Sequence, residues 1–433
     1  MYKQAVTKIS RRNWFLVIFL GMAGQIAWNV NNVWFNTFMY SKITPDPRAI
    51  ALLVGVSAVI ATLTTLVMGT AGDRLGKRKP FIICGYLCWG LTIIVFPLSA
   101  NIAITATAVA AAVTLAAVMT FFGSTAYDSN FNAWTTDISD QTNRGVLSSV
   151  INVLPLVAMV VGFGLGALID LIGYTFFFYA IGLLVSITGL ISSFLLKEIS
   201  VLRKKSSAEV GGFFSHLFEV FSVETIKSNR ELFLVFMALG LFATSAQVFL
   251  PYQIIYMEHF LMFSLTEAGL ASAVGVLVAM FTAIPVGRLT DRGNGPVLSF
   301  LAPLLLATAL WMVSFVRSII PISIALAIGT AAYIMMLIVG IAWVKNLMPP
   351  QNRGQFEGVR MIFMVGIPMI VGPVTGSSII SRYGLPTISN GIEGFIPTPL
   401  LFQVAGTMVL LALIPLIVIR RGREKNVRQQ RSA

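Results

Sequence analysis

The chain has 433 residues, 57% of them hydrophobic and only 11% charged, with a net charge of +13. A soluble domain carries about 25% charged residues, so the composition excludes a water-soluble globule and points to an integral membrane protein. The positive balance does not mark a nucleic-acid partner: no soluble stretch interleaves basic and aromatic residues, and 26 of the 30 lysines and arginines fall in segments that one membrane topology places together. Such an excess marks cytoplasmic segments and faces anionic lipid headgroups.

Apolar runs follow one another at 13–40, 49–71, 80–98, 102–133, 146–169, 174–196, 231–257, 265–289, 296–316, 319–346, 357–380 and 398–419. A bilayer crossing takes ~20 apolar residues, and helices are the open-ended element that satisfies its own backbone in lipid. The expected fold is all-α and integral to the membrane, with twelve transmembrane helices. The even number returns both basic termini to the cytoplasmic side of a multi-pass cell-membrane protein. The first run is too long and too studded with polar residues for a cleaved leader. Cys84 and Cys88 lie four apart on one helix face, with no His or acid to complete a metal site, so packing is their expected role and no metal or other cofactor is expected.

Residues 197–230 form the long polar interruption, where Phe214, Leu217, Phe218 and Phe221 recur at helical spacing. They predict an amphipathic helix on the inner membrane face. The expected organisation is therefore a six-helix bundle over 1–196, a cytoplasmic linker over 197–230, and a second bundle with a basic tail over 231–433. The halves repeat: Ala133, Trp134, Asn143, Arg144 and Gly145 coincide with Ala342, Trp343, Asn352, Arg353 and Gly354 at a constant offset of 209. Two pseudo-symmetric six-helix copies are a plan of secondary transporters, with the solute bound between them at mid-membrane.

The chemistry concentrates in two runs. The first carries Gln25, Asn29, Asn32 and Asn36 at spacings of 4, 3 and 4, which an ideal helix places on one face. Amides facing lipid are costly, so this face looks inward, with Trp28 beside it. They contact solute directly or bond neighbouring helices. The matching run of the second half offers Gln247, Tyr252 and Tyr256. The fourth run carries Ser124, Asp128, Asn132 and Thr135 on a polar face, with Tyr127 and Trp134 alongside. Asp128 is the acid placed deepest in hydrocarbon. Its insertion costs ~2.5–3.5 kcal/mol, which marks an ion or proton path; the other reading is a static acid bonded to Tyr127 or the first-run amides. One charge crossing 100 mV gains ~2.3 kcal/mol, so a single coupled ion suffices to concentrate a solute about 300-fold at ~150 mV.

Between the second and third runs lies Gly69-Thr-Ala-Gly-Asp73-Arg74-Leu-Gly76-Lys77-Arg78-Lys79-Pro80. Its glycines, Asp73 and basic run resemble the signature loop of the major facilitator superfamily at every defined position. A weaker echo, Gly287 to Gly293 with Asp291, sits in the second half. The resemblance implies that Gly69, Asp73, Arg74, Gly76 and Arg78, with Arg144, Asp291 and Arg353, serve the cytoplasmic gate; the bland reading is that the charges only set topology. Lys77 to Ile82 also resembles the signature of sucrose–proton symporters, and Asp128 to Asp137 resembles the fourth helix of glycoside–pentoside–hexuronide:cation symporters, where the acid serves cation and sugar. Residues 49–71 lack the acid pair of that second family, so a proton is favoured over sodium.

Sugar-porter Pro-Glu-Ser and Pro-Glu-Thr marks are missing, as is the Gly-Pro-x-x-Gly-Gly element of drug–proton antiporters in helix five. No nucleotide loop or nucleophile–base pair is present, so no enzyme activity is expected. These readings converge on a monomeric, proton-coupled importer of a small polar solute such as a sugar or glycoside. A proton-driven exporter of amphipathic compounds and a non-transporting sensor are the alternatives.

Overall fold

The computed structural model describes residues 9–140, 143–198, 222–349, 353–389 and 391–432. Its apolar helices are α1 Arg11–Ile43, α2 Pro47–Leu75, α3 Lys79–Asn101, α4 Thr105–Asp137, α5 Arg144–Gly164, α6 Gly166–Leu195 and α7 Arg230–His259. The next apolar stretch, Leu265–Phe315, is 51 residues long. As one helix it would extend about 77 Å at 1.5 Å per residue, far beyond a hydrocarbon core of ~30 Å. It breaks at Gly293, whose φ of 87° leaves the helical region, into α8 Leu265–Leu289 and α9 Gly295–Phe315. Then come α10 Ile319–Leu347, α11 Phe356–Tyr383 and α12 Leu400–Glu424. The described residues thus hold twelve membrane-crossing helices, as the apolar runs require.

Local chemistry sets the ends. Ser10 caps α1 by accepting from the Asn13 N–H at 3.2 Å, and Ser264 and Glu267 form a reciprocal capping box on α8. Pro80 sits in the first turn of α3, where its missing N–H costs nothing. The fold is all-α as expected, with one short extended element between its last two helices. Strands β1 Leu385–Ser389 and β2 Ile392–Ile396 pair as a hairpin between α11 and α12, turning at Gly391 with φ 77°. The segment Leu385-Pro-Thr-Ile-Ser is short, holds a proline and puts its two aliphatic residues three apart, so it carries no period-two strand signal. The amphipathic helix expected around Phe214–Phe221 lies outside the described residues.

The residues cluster into two compact units. Unit 1 holds Met1–Pro45, Leu52–Ser207 and Ser389–Ile392; unit 2 holds Asp46–Ala51, Ala208–Ile388 and Glu393–Ala433. Within unit 1, α1 packs on α5 and α6, and α3 on α4 and α6; within unit 2, α7 packs on α11 and α12, and α9 on α10 and α12. Each pair in the first set becomes one in the second when six is added, so the repeat read from 209-residue spacing is also a repeat of packing.

Candidate solute and coupling site

The centre of unit 1 is built on wide helical turns. In α4, Ser124–Phe131 is π-helical, and in α1 so are Val30–Trp34 and Met39–Ile43. An i→i+5 turn inserts one residue and rotates everything after it, and such turns recur at functional sites. On the α4 segment, Ser124 Oγ donates to Asp128 Oδ2 at 2.9 Å. The Trp28 indole N–H from α1 lies within interaction range of the same carboxyl, and the Gln25 side chain engages the Tyr127 hydroxyl. Asp128 is partly open and lies about 14 Å along the axis from Asp137 at the end of α4.

Aromatic rings wall this group. Trp28 and Trp89 have centroids 5.2 Å apart, Tyr86 and Trp89 5.7 Å, and Tyr127 stacks on Phe131 at 5.0 Å. The Tyr86 hydroxyl donates to the Leu20 carbonyl at 2.6 Å. Two glycines make the room: a Cβ on Gly24 would overlap the Tyr127 ring and sit 2.7 Å from Tyr86 Oη, and one on Gly123 would lie 3.0 Å from the Trp89 ring. The sequence reading did not single out Tyr86 and Trp89. Their signal was an aromatic pair three residues apart in an otherwise aliphatic run.

The structure brings together Gln25, Trp28, Tyr127 and Asp128, but not the four amides on one face. The wide turn at Val30–Trp34 falls between Asn29 and Asn36 and splits them. Asn29 is buried against Gly162 of α5, where the Trp34 indole donates to the Gly162 carbonyl at 2.8 Å. Asn36 is buried and donates to the Asn32 carbonyl at 2.7 Å, while the Asn32 side chain is exposed. Asn132 is also exposed and donates to the Asp128 carbonyl at 3.1 Å; Trp134 is buried beside Phe131. In unit 2, Gln247 is partly buried where Gly372 closes on it. Tyr252 and Tyr256 are fully buried, with their hydroxyls on the carbonyls of Pro373 at 3.0 Å and Val313 at 3.5 Å. Those two tyrosines hold helices together in this conformation.

At the turn between α2 and α3, Arg78 is buried and pairs with Asp73 and with Asp137 at 3.3 Å. Its backbone N–H, an orphan donor at the start of α3, donates to Glu198 at 2.8 Å. Gly72 is tight here: a Cβ would overlap Asn130 Oδ1 and approach Arg78 Nη1 to 2.6 Å. Gly76 ends α2 with φ 62°, in the left-handed region that favours glycine. Gly69 lies against Ser129, and Arg74 is exposed. Arg144 is exposed and reaches Ser139 Oγ at 3.5 Å; Asp291 is exposed in the turn that ends at Gly293; the Arg353 side chain lies outside the described residues. Asp137 and Glu198 are not among the gate residues the sequence suggests, because sequence alone does not show which acid a loop arginine reaches.

The description Major Facilitator Superfamily matches residues 15–373 and 232–433. A search of curated proteins finds no match. Among solved structures, a mutant form of the nucleoside transporter NupG is similar with a TM-score of 0.75 and 11% identity over 93% of this chain and 98% of that one. A bacterial homologue of the iron transporter ferroportin in an inward-facing state gives 0.67 and 13% over 96% and 99%. A bacterial homologue of the human lysosomal transporter Spinster, inward-facing and occupied, gives 0.70 and 12% over 94% and 96%. At these identities the likeness speaks for the fold, whereas the family match spans the chain. The signature turn, the twelve helices and that match together make this chain a member of the major facilitator superfamily, a multi-pass membrane transporter.

Proposed function

We propose that the protein imports a small polar solute, a sugar or glycoside, together with a proton, and that Asp128 carries the proton. The observation behind this reading is the half-buried Asp128, set on a π-helical turn in mid-helix with Ser124 Oγ at 2.9 Å from its carboxylate and the Trp28 indole nearby. Both neighbours are donors. The Ser124 hydroxyl, donating to the carboxylate, yields when the acid takes a proton, and the absence of an acid pair in residues 49–71 favours a proton over sodium. The exposed amides of Asn32 and Asn132 offer directional donors and acceptors for hydroxyls, and Gln25 and Tyr127 supply more next to the acid. Among the described residues no cation pairs with Asp128, so an anionic solute fits less well. The cytoplasmic gate is assigned to the buried Arg78 with Asp73 and Asp137.

The test is proteoliposomes loaded with a pH-sensitive dye and challenged with disaccharides, pentoses, amino acids and organic acids, comparing wild type with Asp128→Asn. Sugar-dependent acidification that disappears in the variant is the expected result. Acidification that persists in Asp128→Asn removes Asp128 from the proton path. If no sugar moves protons but hydrophobic cations release them from acid-loaded vesicles, the protein is an exporter.

A further inference from the structure

The signature turn of unit 1 is stapled by a cation and an acid, Arg78 and Asp137. Neither survives in the repeat. After Gly293 the chain continues Asn294-Gly295-Pro296, with no basic run, and at the offset of 209 Asp137 becomes Asn346, which is exposed. The inner end of unit 2 is held by a different set. Glu231 at the start of α7 accepts the Trp343 indole N–H at 3.1 Å and also pairs with Arg423. The guanidinium of Arg423 lies over the Trp343 ring, 5.3 Å from its centroid. Trp343 belongs to the last turns of α10, and Arg423 to the basic helix that continues α12 to Ser432. One carboxylate, one indole and one guanidinium thus tie three helix ends. Each group makes two of the three contacts, so removing any one loosens the other two.

We propose that Arg423 is a positioning residue of the transport cycle: from the tail of the chain it does for unit 2 what Arg78 does for unit 1, holding the inner ends of α7, α10 and α12 as one body. This rests on the transporter family and not on the identity of the solute. Arg423 touches no candidate solute residue. It acts through Glu231 and Trp343, so its loss is expected to slow turnover and leave solute affinity alone.

The experiment is hydrogen exchange of the segment 413–432 in the full-length protein in lipid nanodiscs, with no solute added. Arg423→Gln and Glu231→Gln should each speed tail exchange by about tenfold, and Arg423→Lys should restore part of the protection. The swap Glu231→Arg with Arg423→Glu should return it to near wild type. Raising salt to about 1 M should also speed exchange, because both charges are partly exposed and screened. Unchanged exchange in the single variants overturns the proposal, and so does a swap no better protected than they are. In the dye-loaded vesicles, the panel member that drives acidification should show a reduced initial rate in Arg423→Gln at an unchanged half-saturating concentration. The reverse pattern overturns the positioning role. If no panel member drives acidification, the symport reading fails and the exchange result still decides this one.

Discussion

Asn29 and Asn32 are three residues apart on α1 and live in different surroundings: one is buried against Gly162, the other open. Truncating them should therefore separate two effects. Asn32→Ala is expected to raise the half-saturating solute concentration with little change in thermal unfolding. Asn29→Ala should lower stability, since it leaves a packed polar contact unfilled. Gly162 makes the converse case. A Cβ there would overlap the Asn29 amide, so Gly162→Ala is expected to cost about 1–3 kcal/mol as overpacking, read by thermal unfolding in detergent. Gly145 has open space around the same construction, so Gly145→Ala should be silent and serves as the matched control. A Gly162→Ala protein as stable as wild type would mean that α1 and α5 are not in this register.

At the scale of elements, the wide turns matter most. The amides at 25, 29, 32 and 36 have ideal spacing for one face, and one inserted residue at Val30–Trp34 undoes it. The π-helical run Ser124–Phe131 in α4 spans Asp128, whose carboxylate accepts from the Ser124 hydroxyl four residues earlier. The signature turn depends on another backbone exception. Gly76 has φ 62°, where a Cβ costs about 1–2 kcal/mol. Gly76→Ala should therefore unravel the end of α2 and loosen Arg78 from Asp73 and Asp137. The check is solute-free: a cysteine placed at Lys77, in a Cys84→Ser, Cys88→Ser background, should react faster with a water-soluble maleimide when Gly76 is replaced. An unchanged rate would show that the ion pairs hold the turn without the glycine.

On the scale of the whole molecule, the chain is two copies of one packing plan whose polar helix ends differ. The pairing of α1 with α5 and α6 reappears as α7 with α11 and α12, yet unit 1 pairs Arg78 with Asp137 whereas unit 2 pairs Arg423 with Glu231. The distribution of lysine and arginine expects both termini on the cytoplasmic side. A reporter fused after Ala433 should accordingly fluoresce as a cytoplasmic protein and fail as a periplasmic phosphatase. The opposite result would invert the orientation and overturn the assignment of Arg78, Asp73 and Asp137 to a cytoplasmic gate.

Much of this protein is written in composition and short motifs. Twelve apolar runs fix twelve crossings because hydrocarbon leaves a backbone no partner but itself. The spacing of Gly69, Asp73, Gly76 and Arg78 identifies the family because turn glycines and paired charges need particular positions. The repeat at 209 announces two like halves. What only tertiary structure decided is which side chains meet. Helical periodicity assumes 3.6 residues per turn, so it could not foresee that a wide turn would bury Asn29, expose Asn32 and leave Gln25 with Tyr127. Nor could it show that a loop arginine reaches Asp137 and a tail arginine reaches Glu231, 59 and 192 residues away along the chain. Local pattern is set by each residue's neighbours in sequence; ion pairs and aromatic contacts are set by how helices pack, and that is decided by all of them together.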